Sequence, residues 1–202
     1  MKKLFGFLKN NIFERNAPLI FLLGITPLLG GTVSLACGLA LGVSALFTLI
    51  SSGAVISLVG RLIPKSVKDL SYLVIVAFFV TLCEILLSFF FPDVRSALGI
   101  YLPLLSVSGL AFSRAQASDG EKVSDAALSG LGMGLGFFAA SLSMAFVREL
   151  LGSGTFFGLR IISEAYTIRA LTSPFGAFLL FGLFAAAVRF NNSHMAKEDG
   201  EQ

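Results

Sequence analysis

The side chain best suited to chemistry in this sequence is a carboxylate inside an apolar run. Glu84 lies in the segment 80–87, VTLCEILL. A charge at the centre of a membrane helix costs about 2.5–3.5 kcal/mol on insertion scales, so such residues usually face a bundle interior or an ion path. Two interpretations stay open. Glu84 belongs to a proton or ion path, or it is protonated or paired with a Ser, Thr or Arg of a partner protein and only holds helices together.

Three further charged residues lie at the ends of apolar runs. Arg114 closes one run, where it either snorkels to the inner interface or holds a partner there. Arg148 and Glu149 precede Gly-Ser-Gly at 152–154, which is typical of a helix end with a basic last turn and a glycine stop. They are also suited to holding a neighbouring subunit in register. Together with Glu84, these three residues are the candidates for an ion path or a subunit contact.

Residue types that bind metals or catalyse reactions are sparse. Cys37 and Cys83 lie in separate apolar runs with no C-x-x-C spacing, and His194, the only histidine, lies in the polar C-terminal segment. The Gly-Ser-Gly turn lacks the Lys-Ser/Thr pair of a phosphate loop. The sequence therefore predicts no catalytic site, no metal site and no nucleic-acid partner for the chain alone.

The composition indicates an integral membrane protein. Of the 202 residues, 55% are hydrophobic and 13% are charged, against about 25% charged in soluble domains. Three apolar stretches exceed the ~20 residues that a membrane span needs, whereas the first and fourth are short and contain Pro27 and Pro103. We expect those two to be broken helices, which are tolerated only inside protein or along a cavity. The six stretches are 17–33, 34–60, 71–91, 97–112, 125–147 and 173–190.

The two halves of the chain repeat one pattern. LGITPLL at 23–29 reappears as LGIYLPLL at 98–105, and glycines at intervals of four follow in both halves, at 38–42 and 130–136. Duplicated units with interrupted helices are typical of inverted repeats that enclose a site near the bilayer midplane. We expect an all-α protein with six transmembrane helices in two inverted three-helix repeats. Its equivalent helices should cross at the glycine faces.

The distribution of basic residues predicts the orientation. With six crossings and the N-terminus inside, all but four of the 15 Lys and Arg residues fall in inside segments. The four outside are Arg95, Arg148, Arg160 and Arg169. Both termini are therefore expected on the cytoplasmic side of the membrane. The expected parts are an interfacial helix at 1–15, one membrane domain at 16–190 with repeats at 16–91 and 97–190, and a flexible tail at 191–202.

The motifs together resemble one family. The two proline motifs, Arg-Ala-x-Ala at 114–117 and RELLGSG followed by Phe-Gly at 148–158 are similar to the Rnf E / Nqr D family of membrane subunits. The resemblance runs from about Asn16 to Arg189. It implies a six-helix inner-membrane protein that pairs with a sister subunit, of the Rnf A / Nqr E type, in a larger complex. Such complexes couple electron transfer, from ferredoxin or NADH to NAD or a quinone, to Na⁺ or H⁺ translocation.

The resemblance also implies where cofactors would be found, and here the sequence departs from the family. Flavins and most iron–sulfur centres are expected on partner subunits. In the family, one Cys from each broken helix joins two from the sister subunit to hold a [2Fe–2S] cluster. This chain has Thr26 and Gly109 at those positions, and neither Cys37 nor Cys83 aligns with them. A thiolate is the usual cluster ligand, so no cluster ligand is expected from this chain.

Three functions compete at this stage. The first is a membrane subunit of an Rnf/Nqr-type redox-driven ion translocase, without a catalytic site of its own. The second is a secondary transporter or channel that kept the fold and lost the redox role, to which the missing cysteines and Glu84 point. The third is an assembly subunit with no transport path.

Overall fold

The computed structural model describes residues 23–163 and 167–198, with side chains up to residue 190. The interfacial helix expected at 1–15 lies outside the described residues, as do residues 199–202. The helices are α1 (Ile25–Gly31), α2 (Leu35–Val59), α3 (Lys68–Phe90), α4 (Pro92–Leu98), α5 (Gly109–Ser118), α6 (Val123–Val147) and α7 (Pro174–Glu198). The short turns are 3₁₀ at Lys65–Val67, Gly99–Tyr101, Pro103–Leu105 and Arg169–Thr172, and π-helical at Arg148–Ser153. A two-stranded antiparallel hairpin pairs β1 (Thr155–Phe156) with β2 (Leu159–Arg160).

Three helices are long and apolar enough to cross a membrane. They span Leu35–Val59, Lys65–Phe90 and Val123–Ser153, counting the turns that extend them. These are the three stretches that the sequence predicted to be long enough, and that prediction is confirmed. The apolar part of α7 is shorter, Pro174–Phe190, and its backbone stays helical to Glu198.

The described part of the first apolar stretch, from residue 23, and the fourth stretch both consist of short helical pieces, as expected of broken segments. In the first, Gly24 adopts a left-handed conformation with φ of 75° and only the seven residues of α1 follow it. In the fourth, two 3₁₀ turns precede α5, and Pro103 begins the second turn. Pro27 lies in the first turn of α1 and Pro103 begins its 3₁₀ turn, positions at which the missing backbone N–H of proline is tolerated, while glycine alone reaches a positive φ without strain.

Helices α2 and α6 form the centre of the fold and pack antiparallel through glycines. A Cβ added to Gly38 would lie 2.5 Å from the Cβ of Ala145, and one added to Gly130 would lie 2.6 Å from the Leu49 carbonyl oxygen. The start of α2 therefore contacts the end of α6, and the middle of α2 contacts the start of α6. The predicted crossing at glycine faces is confirmed for this pair, because only glycine allows so close a backbone approach.

Helix α3 contacts the centre along one narrow face. Its buried residues, Tyr72, Val76, Val80 and Cys83, recur every three or four positions. Many of its other apolar side chains are exposed, among them Phe78 and Phe89. In a membrane such a surface faces lipid or another protein.

The glycine packing leads to a stability test. Gly130→Ala should destabilise the protein by about 1–3 kcal/mol, because its methyl group would overlap the backbone of α2. Gly182→Ala is the matched control, since a Cβ there meets no described atom within 4 Å and alanine is the better helix former by up to about 1 kcal/mol. The measurement is the thermal midpoint of detergent-solubilised protein by size-exclusion chromatography. Equal midpoints for the two variants would contradict the packing.

Candidate functional site

A cavity of about 810 Å³ lies between the two broken segments. Its walls come from both segments and from the region that precedes α7. We call it the central cavity. Polar groups in its lining include Thr26, Tyr101, Ser108, Arg148 and Thr172.

Local sequence explains how the two broken segments meet there. A Cβ added to Gly24 would lie 3.2 Å from the Leu110 Cβ, and one added to Gly109 would lie 3.1 Å from Leu23 Cδ2. The segments therefore touch where each is interrupted. Ser108 fixes the start of α5, because its hydroxyl accepts a hydrogen bond from the Ala111 amide as an N-cap.

Arg148 forms one wall of the central cavity and is almost completely buried, with 2% of its surface exposed. Its Nη1 donates to the Leu29 carbonyl at 2.7 Å and to Thr32 Oγ1 at 3.2 Å. Its Nε and Nη2 donate to the carbonyls of Leu171 and Thr172 at 3.1 and 3.0 Å. One guanidinium thus joins the end of α6 to the first broken segment and to the turn before α7. Only arginine offers five donors in a planar fork that can make such a set.

Glu149, the residue after Arg148, is equally buried and accepts hydrogen bonds from a different set of groups. One carboxylate oxygen accepts the amide of Leu35, the first residue of α2, and the other accepts the amide of Gly158 at 2.9 Å and the Thr155 hydroxyl at 3.2 Å. A carboxylate at a helix N-terminus satisfies an amide that has no partner within the helix and complements the helix dipole. Glu149 thereby fixes the start of α2 relative to the β1–β2 hairpin.

The sequence predicts these two residues at a helix end followed by a glycine stop. The structure places them in a π-helical turn that ends at Gly154, with φ of 68°. Their hydrogen bonds lie within the chain, so sequence reasoning found the motif but missed its partners. A part for Arg148 or Glu149 in an ion path or a subunit contact stays a prediction.

Arg114 is buried at the other end of the α2–α6 pair, with 3% of its surface exposed, and its place at the inner interface stays a prediction. Its Nη2 donates to Glu121 Oε2 and to the Ala126 carbonyl, both at 2.8 Å. A Cβ added to Gly53 of α2 would lie 3.8 Å from its Nε. Arg114 therefore fixes the loop between α5 and α6 against α2.

Glu84 has a partner that sequence reasoning missed. It forms an ion pair with Arg95 of α4, and the two side chains remain 25% and 28% exposed. From the sequence, Arg95 is expected only as a charge of an outside segment, and no pairing with Glu84 is predicted. Neither residue of the pair lines the central cavity, and Arg148 is the one candidate residue of the four that does.

The residues at the two positions where the resemblance implies cluster ligands do not fit an iron–sulfur cluster. Thr26 and Gly109 both line the central cavity and both are exposed, so the positions face one space. Gly109 has no side chain, and a threonine hydroxyl is a poor iron ligand. Cys37 and Cys83 are buried elsewhere, in α2 and α3. No group of three His, Cys, Asp or Glu residues suited to a metal occurs in the described part of the chain.

Comparison with known sequences decides the family. The profile described as "Rnf-Nqr subunit, membrane protein" matches residues 4–185. The chain belongs to the Rnf-Nqr family of membrane subunits. The broken segments and the Arg148–Glu149 motif are thus features of a member of this family.

Three relatives are similar over almost their whole length. The E subunit of the Na(+)-translocating ferredoxin:NAD(+) oxidoreductase complex of Acetobacterium woodii is 33% identical over 192 residues, 92% of this chain and 97% of the relative. The E subunit of the proton-translocating ferredoxin:NAD(+) oxidoreductase complex of Clostridium ljungdahlii is 30% identical, covering 98% and 93%. The E subunit of the ion-translocating oxidoreductase complex of Pseudoalteromonas atlantica is 34% identical, covering 94% and 90%.

The hydrogen bonds of Arg148 predict a strong effect of a conservative change. Arg148→Lys should lower stability by at least about 2 kcal/mol, because a single ammonium group leaves buried carbonyl oxygens without donors. Arg61→Lys, at an exposed position, is the control. The thermal midpoint in detergent distinguishes the two, and a midpoint for Arg148→Lys equal to that of the control would refute the structural role.

Glu149→Gln tests the neighbouring carboxylate separately. Both oxygens of Glu149 accept amide hydrogens, so the NH₂ group of glutamine must oppose a donor on one side. We expect a loss of about 1–3 kcal/mol and faster hydrogen exchange at the start of α2. Unchanged exchange at Leu35 would show that Glu149 does not fix this helix end.

Proposed function

We propose that this chain is the E-type membrane subunit of an Rnf/Nqr-type complex. Such a complex couples electron transfer, from ferredoxin or NADH to NAD or a quinone, to the translocation of Na⁺ or H⁺ across the inner membrane. The observation that carries the proposal is similarity over nearly the full length to subunits that are named for this activity. The chain's part is that of a membrane scaffold and one half of the ion path.

We also propose six membrane crossings in two inverted repeats, 16–91 and 97–190, with both termini in the cytoplasm. Support comes from the antiparallel pair α2 and α6, which have equal length and are each preceded by a broken segment. Gly24 and Gly99, in the two corresponding motifs, both have positive φ. The excess of Lys and Arg in the segments assigned to the inside supports the orientation.

The central cavity is the proposed meeting place with the sister six-helix protein. Thr26 and Gly109 are exposed at its edge, so a second protein can cover it. Flavins and iron–sulfur centres belong to partner subunits in this proposal. No electron-transfer step is assigned to this chain, because the residues at its cluster positions do not fit a cluster.

A transporter or channel without a redox role is the second candidate. Two observations favour this candidate. Both cluster ligands that the resemblance implies are missing, and the central cavity is lined by hydroxyl groups. It requires ion or solute flux by the purified chain in liposomes. Background flux under every imposed gradient would refute it.

The proposed membership of a complex is tested by its partners. Tagged protein is extracted from native membranes in mild detergent, and the co-purifying proteins are identified by mass spectrometry. We expect a second six-helix member of the family together with flavin and iron–sulfur subunits. Recovery of the chain alone would refute the proposal.

The absence of cluster ligands is tested on the purified complex. Thr26→Ala and Gly109→Ala should both leave its iron content and iron–sulfur EPR signals unchanged. Both changes are sterically mild, since Thr26 is exposed and a Cβ at Gly109 meets only the flexible end of Leu23 at 3.1 Å. Loss of an EPR signal in either variant would show that this chain does hold a cluster.

A further inference from the structure

The Glu84–Arg95 pair lies on the outer surface of the fold. Glu84 is in α3, six residues before the helix ends at Phe90, and Arg95 is in α4 after the bend. At 1.5 Å per residue, the carboxylate is about 9 Å from the end of the span. Its exposed neighbours on α3 are the apolar Ile85, at 60%, and Phe89, at 80%, and the polar Ser88, whose hydroxyl donates to the Glu84 carbonyl. The pair therefore lies beside large exposed apolar side chains, near the end of a helix that is long and apolar enough to cross a membrane.

The polar groups of this pair are incompletely satisfied. Arg95 Nη2 pairs with Glu84 Oε1, and Nη1 donates to the Gly99 carbonyl at 3.3 Å. Arg95 Nε is buried and has no partner among the described residues. The second carboxylate oxygen of Glu84 likewise accepts from no described donor. Lipid tails offer no hydrogen bonds, so a quarter-exposed ion pair with free polar atoms is unfavourable in direct contact with them.

The surface beside Glu84 is a shallow, open depression along one helix. A depression of about 490 Å³ is lined by Glu84, Ile85, Ser88 and Phe89. Residues one turn apart lie on the same face of a helix, so the depression follows the outward face of α3. We call these four residues the Glu84 patch. The patch shares no lining residue with the central cavity.

We propose that the Glu84 patch docks a transmembrane helix of a partner subunit, which donates a hydrogen bond to the free oxygen of Glu84 from a hydroxyl or carboxamide side chain. The charge of the patch selects this occupant. Arg95 already neutralises Glu84, so another cation would leave a net charge in the membrane, whereas a neutral donor satisfies the oxygen. Small hydroxyl and amide side chains are the usual polar contacts between membrane helices. The inference rests on the proposed function, because it requires partner subunits.

The test replaces the pair by apolar residues within the intact complex. In the double variant Glu84→Leu/Arg95→Leu the chain itself should stay folded, because both partners of the pair are removed together. We expect partner subunits to be recovered with it about tenfold less, corresponding to about 1.4 kcal/mol of association free energy. The control is Lys68→Leu/Asp119→Leu, which removes an ion pair of matching exposure, 24% and 28%, near the other end of α3. It should leave recovery unchanged.

Each outcome decides one question. Undiminished recovery with the double variant would overturn the docking site, and if ion pumping were lost at the same time Glu84 would belong to an ion path instead. A wild-type chain that co-purifies with no partner would refute the proposed function rather than the patch. A photo-crosslinker in place of Phe89 gives an independent reading in the purified complex. Adducts with a partner helix support docking, and adducts with lipid alone contradict it.

Discussion

The buried guanidinium of Arg148 is the interaction on which the other parts of this structure depend. A charge in so apolar a surrounding is stable only when its donors are satisfied, and the chain supplies acceptors from outside its own helix: Leu29 and Thr32, Leu171 and Thr172. These acceptors are at segment ends, where carbonyls lack helical partners. The same contacts that neutralise the arginine therefore hold the first broken segment and the turn before α7 against the end of α6, at one wall of the central cavity.

A second constraint comes from the close packing of α2 and α6. Glycines remove the side chains between the two helices, so their relative position is fixed by backbone contact along most of their length. Arg148 and Glu149 fix one end of this pair, where α2 begins, and Arg114 fixes the other, beside Gly53. Charged side chains lie at the two ends of the pair. Between the ends the contact is made by glycines, apolar side chains and buried hydroxyl groups, and the Ser141 hydroxyl donates to the Gly38 carbonyl across the pair.

The sequence predicted what depends on local composition and periodicity. Length and hydropathy predicted the three long helices, Pro27 and Pro103 predicted the interruptions, and the glycine spacing predicted the packing of α2 on α6. It failed where a partner lies far along the chain or across a bend. The Leu29 carbonyl that accepts from Arg148 is 119 residues away, and any residue type provides a carbonyl. Arg95 pairs with Glu84 only because the chain turns between α3 and α4, which hydropathy does not report.

The positions at which the resemblance implies cluster ligands lie apart from the contacts that hold the fold together. Thr26 and Gly109 are exposed at the edge of the central cavity and take no part in the buried contacts of Arg148, Glu149 or Arg114. A substitution there changes the chemistry that the cavity offers without leaving a void or an unpaired group in the core. The scaffold and the ligand positions are therefore energetically separable. A membrane protein of this fold can keep its place in an assembly while the groups at its cavity change.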